Sequence, residues 1–109
     1  MTDSTISRAS EIARSIAAAH ALTLDRIIVY GSHADGTADE RSDIDLVLVS
    51  PDWEGVDYYA RPEPFLIEWP RDELPTPDII PVTPAEFKQR SQKDTDIVQT
   101  AVETGIVAG

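Results

Sequence analysis

A pair of aspartates, Asp43 and Asp45, directly precedes the apolar run at residues 46–49. Side chains two positions apart in a strand share one face, roughly 6.5–7 Å from each other along the chain, so we expect both carboxylates to project together. Carboxylates arranged in this way suit Mg²⁺, which proteins bind through one or two carboxylates together with substrate phosphates. They also suit two cations roughly 3.5–4 Å apart if one carboxylate oxygen bridges them.

Chance alone produces Asp-x-Asp pairs in an acidic chain, and residues 94–96 carry a second copy. The first pair differs because it joins an apolar strand, where two carboxylates without a counter-ion would reduce stability. A third carboxylate normally completes a metal site, and Asp78 is the best candidate because it opens a later apolar strand. Three other acidic residues lie in an irregular stretch and are poorer candidates: Glu68, Asp72 and Glu73. We therefore predict a metal site at Asp43, Asp45 and Asp78.

A Gly-Ser pair, Gly31 and Ser32, follows the apolar run at residues 27–30 and precedes Asp43 by a spacer of ten residues. Glycine allows a sharp turn and a close approach of a ligand to the backbone. The N–H groups that follow favour an anion, and the Ser32 hydroxyl adds one hydrogen bond to a phosphate. Alone, the pair is an ordinary turn, but together with the aspartates it predicts a phosphate site. His33 could touch a phosphate or stabilise the loop, and both alternatives stay open.

The elements that position these residues are predicted from apolar spacing and helix-capping signals. Strands are expected at residues 26–30, 44–49 and 78–82, and Pro81 indicates a sheet edge because proline cannot donate to a ladder. Helices are expected at residues 6–20 (capped by Asp3 or Ser4), 32–35, 65–69 and 84–89 (capped by Thr83, with Glu86 completing a capping box). A last helix is expected from residue 94 or 95 to residue 103.

An irregular stretch at residues 52–77 contains five prolines and most of the aromatic residues. We predict that it forms a lid or an interface loop around one short helix. Its aromatic side chains could stack on a nucleobase, but a core or interface role is the stronger interpretation.

Length and composition limit the class of protein. A chain of 109 residues has room for one domain, which we place at residues 1–109. The absence of cysteine excludes disulfides, thiolate zinc sites and thiol nucleophiles. The sequence contains no apolar stretch near the roughly 20 residues of a membrane span and no signal-peptide pattern, so we expect a cytoplasmic protein.

The charge of the chain limits its partners. Twenty acidic and nine basic residues give a net charge of -11, which disfavours DNA and long RNA because their binding depends on Lys and Arg. The acidic excess is typical of a halophile-like protein, although an ordinary solvated surface is the alternative. It also favours a basic protein partner.

The Gly-Ser pair, the ten-residue spacer and Asp43-Ile44-Asp45 together resemble the minimal nucleotidyltransferase family, the shortest members of the DNA polymerase beta-like superfamily. Residues 78–87 and 97–105 are similar to the later part of that family, so the resemblance covers most of the chain. It implies an α/β (α+β) fold of the polymerase beta-like type, in which helices flank a small mixed β-sheet.

The resemblance also implies roles for individual residues. Asp43, Asp45 and Asp78 would be the catalytic Mg²⁺ ligands of a two-metal site, and Gly31 and Ser32 would hold the triphosphate of ATP. In the family's reaction an acceptor hydroxyl attacks the α-phosphorus and pyrophosphate leaves. By analogy, Asp78 would orient or deprotonate the acceptor.

The acceptor is expected to come from a separate protein, because no further helical domain follows the third predicted strand and its helices. The resemblance implies the antitoxin of a toxin–antitoxin pair, which transfers AMP from ATP to a tyrosine of a HEPN-type toxin. Relatives often carry arginine close after the Gly-Ser pair, where His33, Ala34 and Asp35 stand in this sequence. This difference favours a second hypothesis: a binding module that masks its partner without catalysis. A third hypothesis is a nucleotidyltransferase that acts on a small molecule.

Overall fold

The apolar runs beside the Gly-Ser pair and the aspartates form the two central strands of a mixed sheet. In the computed structural model, which describes residues 4–108, β1 (Arg26–Tyr30) pairs antiparallel with β2 (Ile44–Val49). β3 (Pro77–Val82) runs parallel to β2 at one edge, and β4 (Ile106–Ala108) runs antiparallel to β1 at the other. The strand order is β3-β2-β1-β4, which confirms the predicted small mixed sheet.

Helices lie on both faces of this sheet. They are α1 (Ser4–Ala19), α2 (Ser32–Asp35), α3 (Glu63–Glu68), α4 (Pro84–Ser91) and α5 (Ile97–Thr104), with short 3₁₀ turns at Pro51–Trp53 and Tyr58–Ala60. The possible cap Asp3 lies outside the described residues. Within residues 4–108, no helix has the length and apolar character needed to cross a membrane.

The sheet separates two apolar clusters, and β2 contributes to both because its side chains alternate between faces. Ile44, Leu46 and Leu48 belong to the cluster on the α1 face, as the sequence predicts. Val47 and Val49 pack on the other face, with side chains from α4 and α5. Asp45 therefore shares its face with the second cluster, at the end of the sheet where β2 begins.

The connection from β2 to β3 packs on the α1 face of the sheet. Trp53, Phe65 and Trp69 are buried in the cluster there, and the Trp69 Nε1–H donates to the Pro75 carbonyl at 2.9 Å. The core role of these aromatic residues is confirmed. Three buried rings anchor this segment, and Tyr59 alone among its aromatic side chains is strongly exposed. The lid or interface role of the remaining residues stays a prediction.

The junction between β3 and α4 follows the sequence signals closely. Within residues 4–108, β3 pairs only with β2, so Pro81 lies in an edge strand as predicted. Thr83 Oγ1 accepts from the Glu86 N–H at 3.2 Å, and Glu86 Oε1 accepts from the Thr83 N–H at 2.9 Å. This reciprocal pair confirms the capping box.

Two features near the end of the described residues differ from the sequence predictions. α5 begins at Ile97 rather than at residue 94 or 95, because Thr95 has a φ of 68° and Asp96 caps the helix by accepting from the Val98 N–H. β4 is not predicted, since three residues are too few to show a strand period.

Candidate active site

Three polar side chains, those of Asp78, Asp45 and Tyr30, lie side by side across the sheet, at the end where β2 and β3 begin. The parallel pairing places Asp78 opposite Asp45, and the antiparallel pairing places Tyr30 on the other side of Asp45. Neighbouring strands lie about 4.8 Å apart, so side chains in register on one face are adjacent. The sequence predicts the proximity of the two aspartates, and the register shows it.

Electrostatic conditions around Asp45 disfavour its ionised form. Burial raises the pKa of the Asp45 carboxyl, and repulsion by Asp78, a hydrogen bond with Asp78 and repulsion by Asp43 raise it further. His33 acts in the opposite direction but more weakly. Within residues 4–108, the five salt bridges involve other carboxylates and leave these three aspartates without a cationic partner.

Asp43 occupies a more open position than Asp45. It immediately precedes β2 and is exposed, whereas Asp45 is half-buried. In the part of the chain that the structure describes, no three His, Asp or Glu side chains converge closely enough to hold a metal ion. The structure therefore brings Asp45 and Asp78 together and leaves Asp43 at the rim, within electrostatic reach of Asp45.

The donor set nevertheless suits a hard divalent cation. Mg²⁺ prefers carboxylate and phosphate oxygens and keeps several water ligands, so it does not require a closed protein cage. The mutual repulsion that raises the pKa of Asp45 is the repulsion that such a cation would remove. Asp45 and Asp78 could hold the ion, with Asp43 joining from the rim.

Gly31 forms the wall of the site beside Asp45. Its φ of 73° and ψ of −149° lie in a region that is essentially restricted to glycine. A Cβ at this position would overlap Oδ2 of the Asp45 carboxylate. The Gly-Ser turn therefore lies directly against the Asp45 carboxylate.

The turn after Gly31 is a single helical turn, α2, as predicted. Ser32 opens it, and the His33 Nε2–H donates to the Ser42 carbonyl at 3.2 Å, which ties the turn to the approach to β2. Asp35 accepts from both the backbone N–H and the hydroxyl of Thr37, and these hydrogen bonds lower the pKa of its carboxyl. A full negative charge therefore stands one turn beyond the Gly-Ser pair.

Tyr30 is a site residue that the sequence analysis does not single out. It is 7% exposed, and burial followed by repulsion from Asp45 and Asp78 raises its pKa, so its hydroxyl stays protonated. Tyr58 lies within electrostatic reach of both Tyr30 and Arg90. The signal that could have found Tyr30 is its place directly before Gly31, at the end of a strand that neighbours Asp45.

Comparison with known protein families identifies the family of this chain. A family described as nucleotidyltransferase domain matches residues 9–106, which include every predicted site residue. The protein belongs to this nucleotidyltransferase family. No curated protein matches the sequence significantly.

Solved structures share the fold at low sequence identity. A presumed nucleotidyltransferase from Sulfolobus solfataricus is 19% identical with a TM-score of 0.58, covering 94% of this chain and 78% of its own. A chain from a toxin–antitoxin structure with AMP-PNP is 21% identical with a TM-score of 0.62, covering 89% of this chain and 69% of its own. These similarities establish the nucleotidyltransferase fold.

Proposed function

We propose that residues 1–109 form one Mg²⁺-dependent nucleotidyltransferase domain that moves AMP from ATP to a tyrosine hydroxyl of a HEPN-type toxin. The observation that carries this proposal is the contact between Gly31 and the Asp45 carboxylate, with Asp78 in register beside it. A phosphate turn and paired carboxylates at one end of a sheet are what chemistry at an α-phosphorus requires.

The reaction is an in-line displacement at phosphorus. The tyrosine oxygen forms a bond to the α-phosphorus of ATP, and the bond from that phosphorus to the bridging oxygen of pyrophosphate breaks. The phenolic proton leaves the tyrosine oxygen as the new bond forms, and Asp78 accepts it or orients the hydroxyl in this scheme. Its exposure on an edge strand supports that role, because an acceptor from another protein can approach it there.

The remaining site residues bind and orient the donor nucleotide. Gly31 allows the triphosphate to approach the backbone closely, and Ser32 donates a hydrogen bond to a phosphate oxygen. Asp45 and Asp78 would hold Mg²⁺, with Asp43 joining from the rim. When bound, the metal supplies positive charge that neutralises the phosphate oxygens and stabilises the leaving pyrophosphate.

Two observations support a protein as the acceptor. A structural relative with 21% identity comes from a toxin–antitoxin structure determined with AMP-PNP. The net charge of -11 favours association with a basic protein surface by electrostatic steering. Neither observation identifies a small-molecule acceptor.

Mass spectrometry of the partner toxin tests the proposal. A HEPN-type toxin that binds this protein, incubated with it, ATP and Mg²⁺, should gain the mass of one adenylate on tyrosine. Substitution of that tyrosine by phenylalanine should abolish the gain. Adenylation that persists with the Asp43→Asn plus Asp45→Asn protein would contradict the proposed site.

A non-catalytic masking protein is the second candidate, and Asp35 favours it. The charge of Asp35 is maintained by two hydrogen bonds from Thr37, and it repels phosphates that approach the turn. Neutralisation of the toxin in cells by the Asp43→Asn plus Asp45→Asn protein would support this candidate. Loss of neutralisation with a folded variant would support catalysis.

A further inference from the structure

The outer edge of β4, which we call the β4 edge, is an unpaired edge of the sheet. β4 (Ile106–Ala108) pairs with β1 on one side and is the last strand in the order β3-β2-β1-β4. Within residues 4–108, no hydrogen bond outside the ladder with β1 engages residues 106–108. An edge strand of this kind presents N–H and C=O groups that can pair with a further strand.

The opposite edge of the sheet is protected against such pairing, and the β4 edge is not. β3 carries Pro77 and Pro81, which have no N–H to donate, and the charged Asp78. β4 contains neither a proline nor a charged residue. Proteins use prolines and charges to keep edge strands from pairing. Their absence from β4 therefore indicates that this edge accepts a strand.

Apolar side chains surround the β4 edge. Half of the large apolar side chains that are exposed within residues 4–108 belong to α5 and β4: Ile97, Val102, Ile106 and Val107. Val107 is 71% exposed and lies on the face that α5 covers, because it pairs with Ile28, which packs in one cluster with Ala101 of α5. Exposed apolar groups that cluster on a globular protein mark an interaction surface.

Charge selects the occupant of this surface. The net charge of -11 makes two copies of the chain repel each other over most of their surfaces. Residues 97–109 contain a single charged residue, Glu103. A second copy can therefore approach at this segment with the least repulsion, whereas a basic partner is steered to the acidic surfaces elsewhere.

We propose that the β4 edge pairs with the β4 edge of a second copy of this chain, antiparallel about a two-fold axis at Val107. Each Val107 then lies opposite its counterpart, and Ile106 lies opposite Ala108 of the second copy. The pairing is self-complementary, as a two-fold interface must be. A two-fold axis normal to the sheet also places both copies of α5 on the same face of the joined sheet.

Both candidate active sites stay open in this dimer. Each site lies at the end of the sheet where β2 and β3 begin, and the two-fold axis places the two sites at opposite ends of the joined sheet. β1 separates the β4 edge from the strand that carries Asp45. The inference goes beyond the proposed function and does not depend on it.

Sedimentation velocity of the full chain tests the proposal. A three-residue strand is about 10 Å long, so the contact is smaller than the roughly 800 Å² per partner of a standard interface, and the dimer is weak. In about 0.5 M KCl, which screens the charge, the sedimentation coefficient should rise from the monomer to the dimer value between about 5 μM and about 500 μM protein. A monomer value over the whole range would overturn the proposal.

Val107→Lys should remain monomeric over the same range, because it places two like charges directly opposite each other at the axis. Ile67→Lys is the matched control, since Ile67 lies on α3 and is also 71% exposed. This control should dimerise like the wild type. A dimer that survives Val107→Lys, or that is lost in Ile67→Lys, has its interface elsewhere and contradicts the proposal.

Cross-linking provides a second measurement that keeps the wild-type pairing intact. The chain has no cysteine, so Val107→Cys supplies the single thiol. Opposite residues of an antiparallel pair have Cα atoms about 4.5 or 5.5 Å apart, which a disulfide can span. Under mild oxidation, Val107→Cys should form the covalent dimer roughly tenfold faster than Ile67→Cys, because pairing raises the effective thiol concentration. Equal rates would contradict the pairing.

The same variants distinguish a second copy from other occupants of the β4 edge. If the edge receives a strand of a partner protein instead, the wild type alone stays monomeric, and Val107→Lys but not Ile67→Lys weakens binding of that partner. That result would overturn the pairing of two copies. The measurements require no nucleotide, so they can fail while the proposed transfer of AMP holds.

Discussion

Asp45 is a residue whose carboxylate is electrostatically unfavourable in the protein without a bound cation. Its carboxylate is half-buried, lies beside Asp78, and occupies the space that a Cβ on Gly31 would need. Repulsion among carboxylates destabilises the protein without a cation and favours cation binding by the same amount. Substitutions of these aspartates should therefore change the stability of the protein as well as its activity.

Asp45→Asn should raise the melting temperature of the metal-free protein by on the order of a few °C. Folding raises the pKa of Asp45, so its charge destabilises the native state above that pKa, and the effect disappears as pH falls below the unfolded value of 3.8. Mg²⁺ should stabilise the wild type and leave the variant unchanged. Asp94→Asn, in the exposed second Asp-x-Asp copy, is the charge-matched control for differential scanning calorimetry. A lower melting temperature for Asp45→Asn would contradict this account.

Gly31→Ala should cost about 3 kcal/mol of unfolding free energy, because both the backbone conformation and the Asp45 carboxylate must change. Gly36→Ala should cost about 1 kcal/mol, because its φ of 85° strains alanine while open space surrounds the new methyl group. Nucleotidyl transfer should fall roughly a hundredfold in Gly31→Ala alone, since a displaced catalytic group reduces rate steeply. Urea unfolding and transfer rates measure both effects. Equal results for the two glycines would show that the contact with Asp45 is unimportant.

At the candidate site, sequence spacing was enough to predict the positions of residues whose neighbours are set by strand geometry. Gly31, Ser32, Asp45 and Asp78 lie where the two apolar runs and their register place them. Tyr30 could not be assigned in this way, because a tyrosine at the end of a strand is equally suited to a core. Its position beside Asp45 depends on the pairing of β1 with β2. The order in which strands pair is set by contacts between distant parts of the chain, which local sequence does not show.

At the scale of elements, Arg61 joins the irregular connection to the β3–α4 junction. Its side chain is 6% exposed and donates to the Val56 carbonyl at 3.0 Å, the Pro81 carbonyl at 3.2 Å and Glu86 Oε1 at 2.6 Å. Glu86 in turn caps α4 through Thr83. One buried guanidinium thus fixes the segment that carries Tyr58 against the strand that carries Asp78.

Arg61→Met should destabilise the protein by about 2–3 kcal/mol, because it leaves two carbonyl groups and a carboxylate without their donor. Urea unfolding at neutral pH measures this loss. Lys88→Met, an exposed residue of α4, is the control and should change stability by less than about 0.5 kcal/mol. A loss that is no larger for Arg61 than for Lys88 would show that the connection is held by its aromatic residues alone.

The pH dependence of stability should also reveal the interaction between Arg61 and Glu86. The Arg61 hydrogen bonds lower the pKa of Glu86 below its usual 4.5, so this contribution is present above pH 4.5 and is lost as pH falls through the lowered value. Other carboxylates with lowered pKa values also make the stability of the wild type sensitive to acid. The quantity to compare is therefore the difference in stability between the wild type and Glu86→Gln at each pH. Glu86→Gln should therefore lose less stability than the wild type over that range. Parallel pH profiles for the two proteins would contradict the assignment.

The elements themselves were largely predictable, and the exceptions have local causes. β1, α2 and β2 have the predicted bounds, since strong apolar runs and a glycine mark them. The start of α5 was misplaced because Asp94 and Asp96 are equally good caps in sequence, and only the positive φ of Thr95 decides between them. β4 exists because the edge of β1 is available to three residues, which no local pattern indicates.

At the scale of the whole molecule, the acidic excess governs solubility and association. A net charge of -11 on 109 residues opposes compaction through self-repulsion, which salt screens. The melting temperature should rise by about 5 °C between about 0.05 M and about 1 M KCl, where the Debye length falls to about 3 Å. Sucrose of equal osmolality is the control, since it leaves charge unscreened. A melting temperature that is flat or falls with KCl would exclude a halophile-like surface.

The central claim, transfer of a nucleoside monophosphate at the Asp43–Asp45–Asp78 site, is tested most directly by the position of a radiolabel. With ATP labelled at the α-phosphorus, the partner toxin should become labelled and release one pyrophosphate for each adenylate transferred. With ATP labelled at the γ-phosphorus, it should remain unlabelled, and neither label should transfer with the Asp43→Asn plus Asp45→Asn protein. Transfer of the γ-label, or α-label transfer that survives the double substitution, would contradict the account.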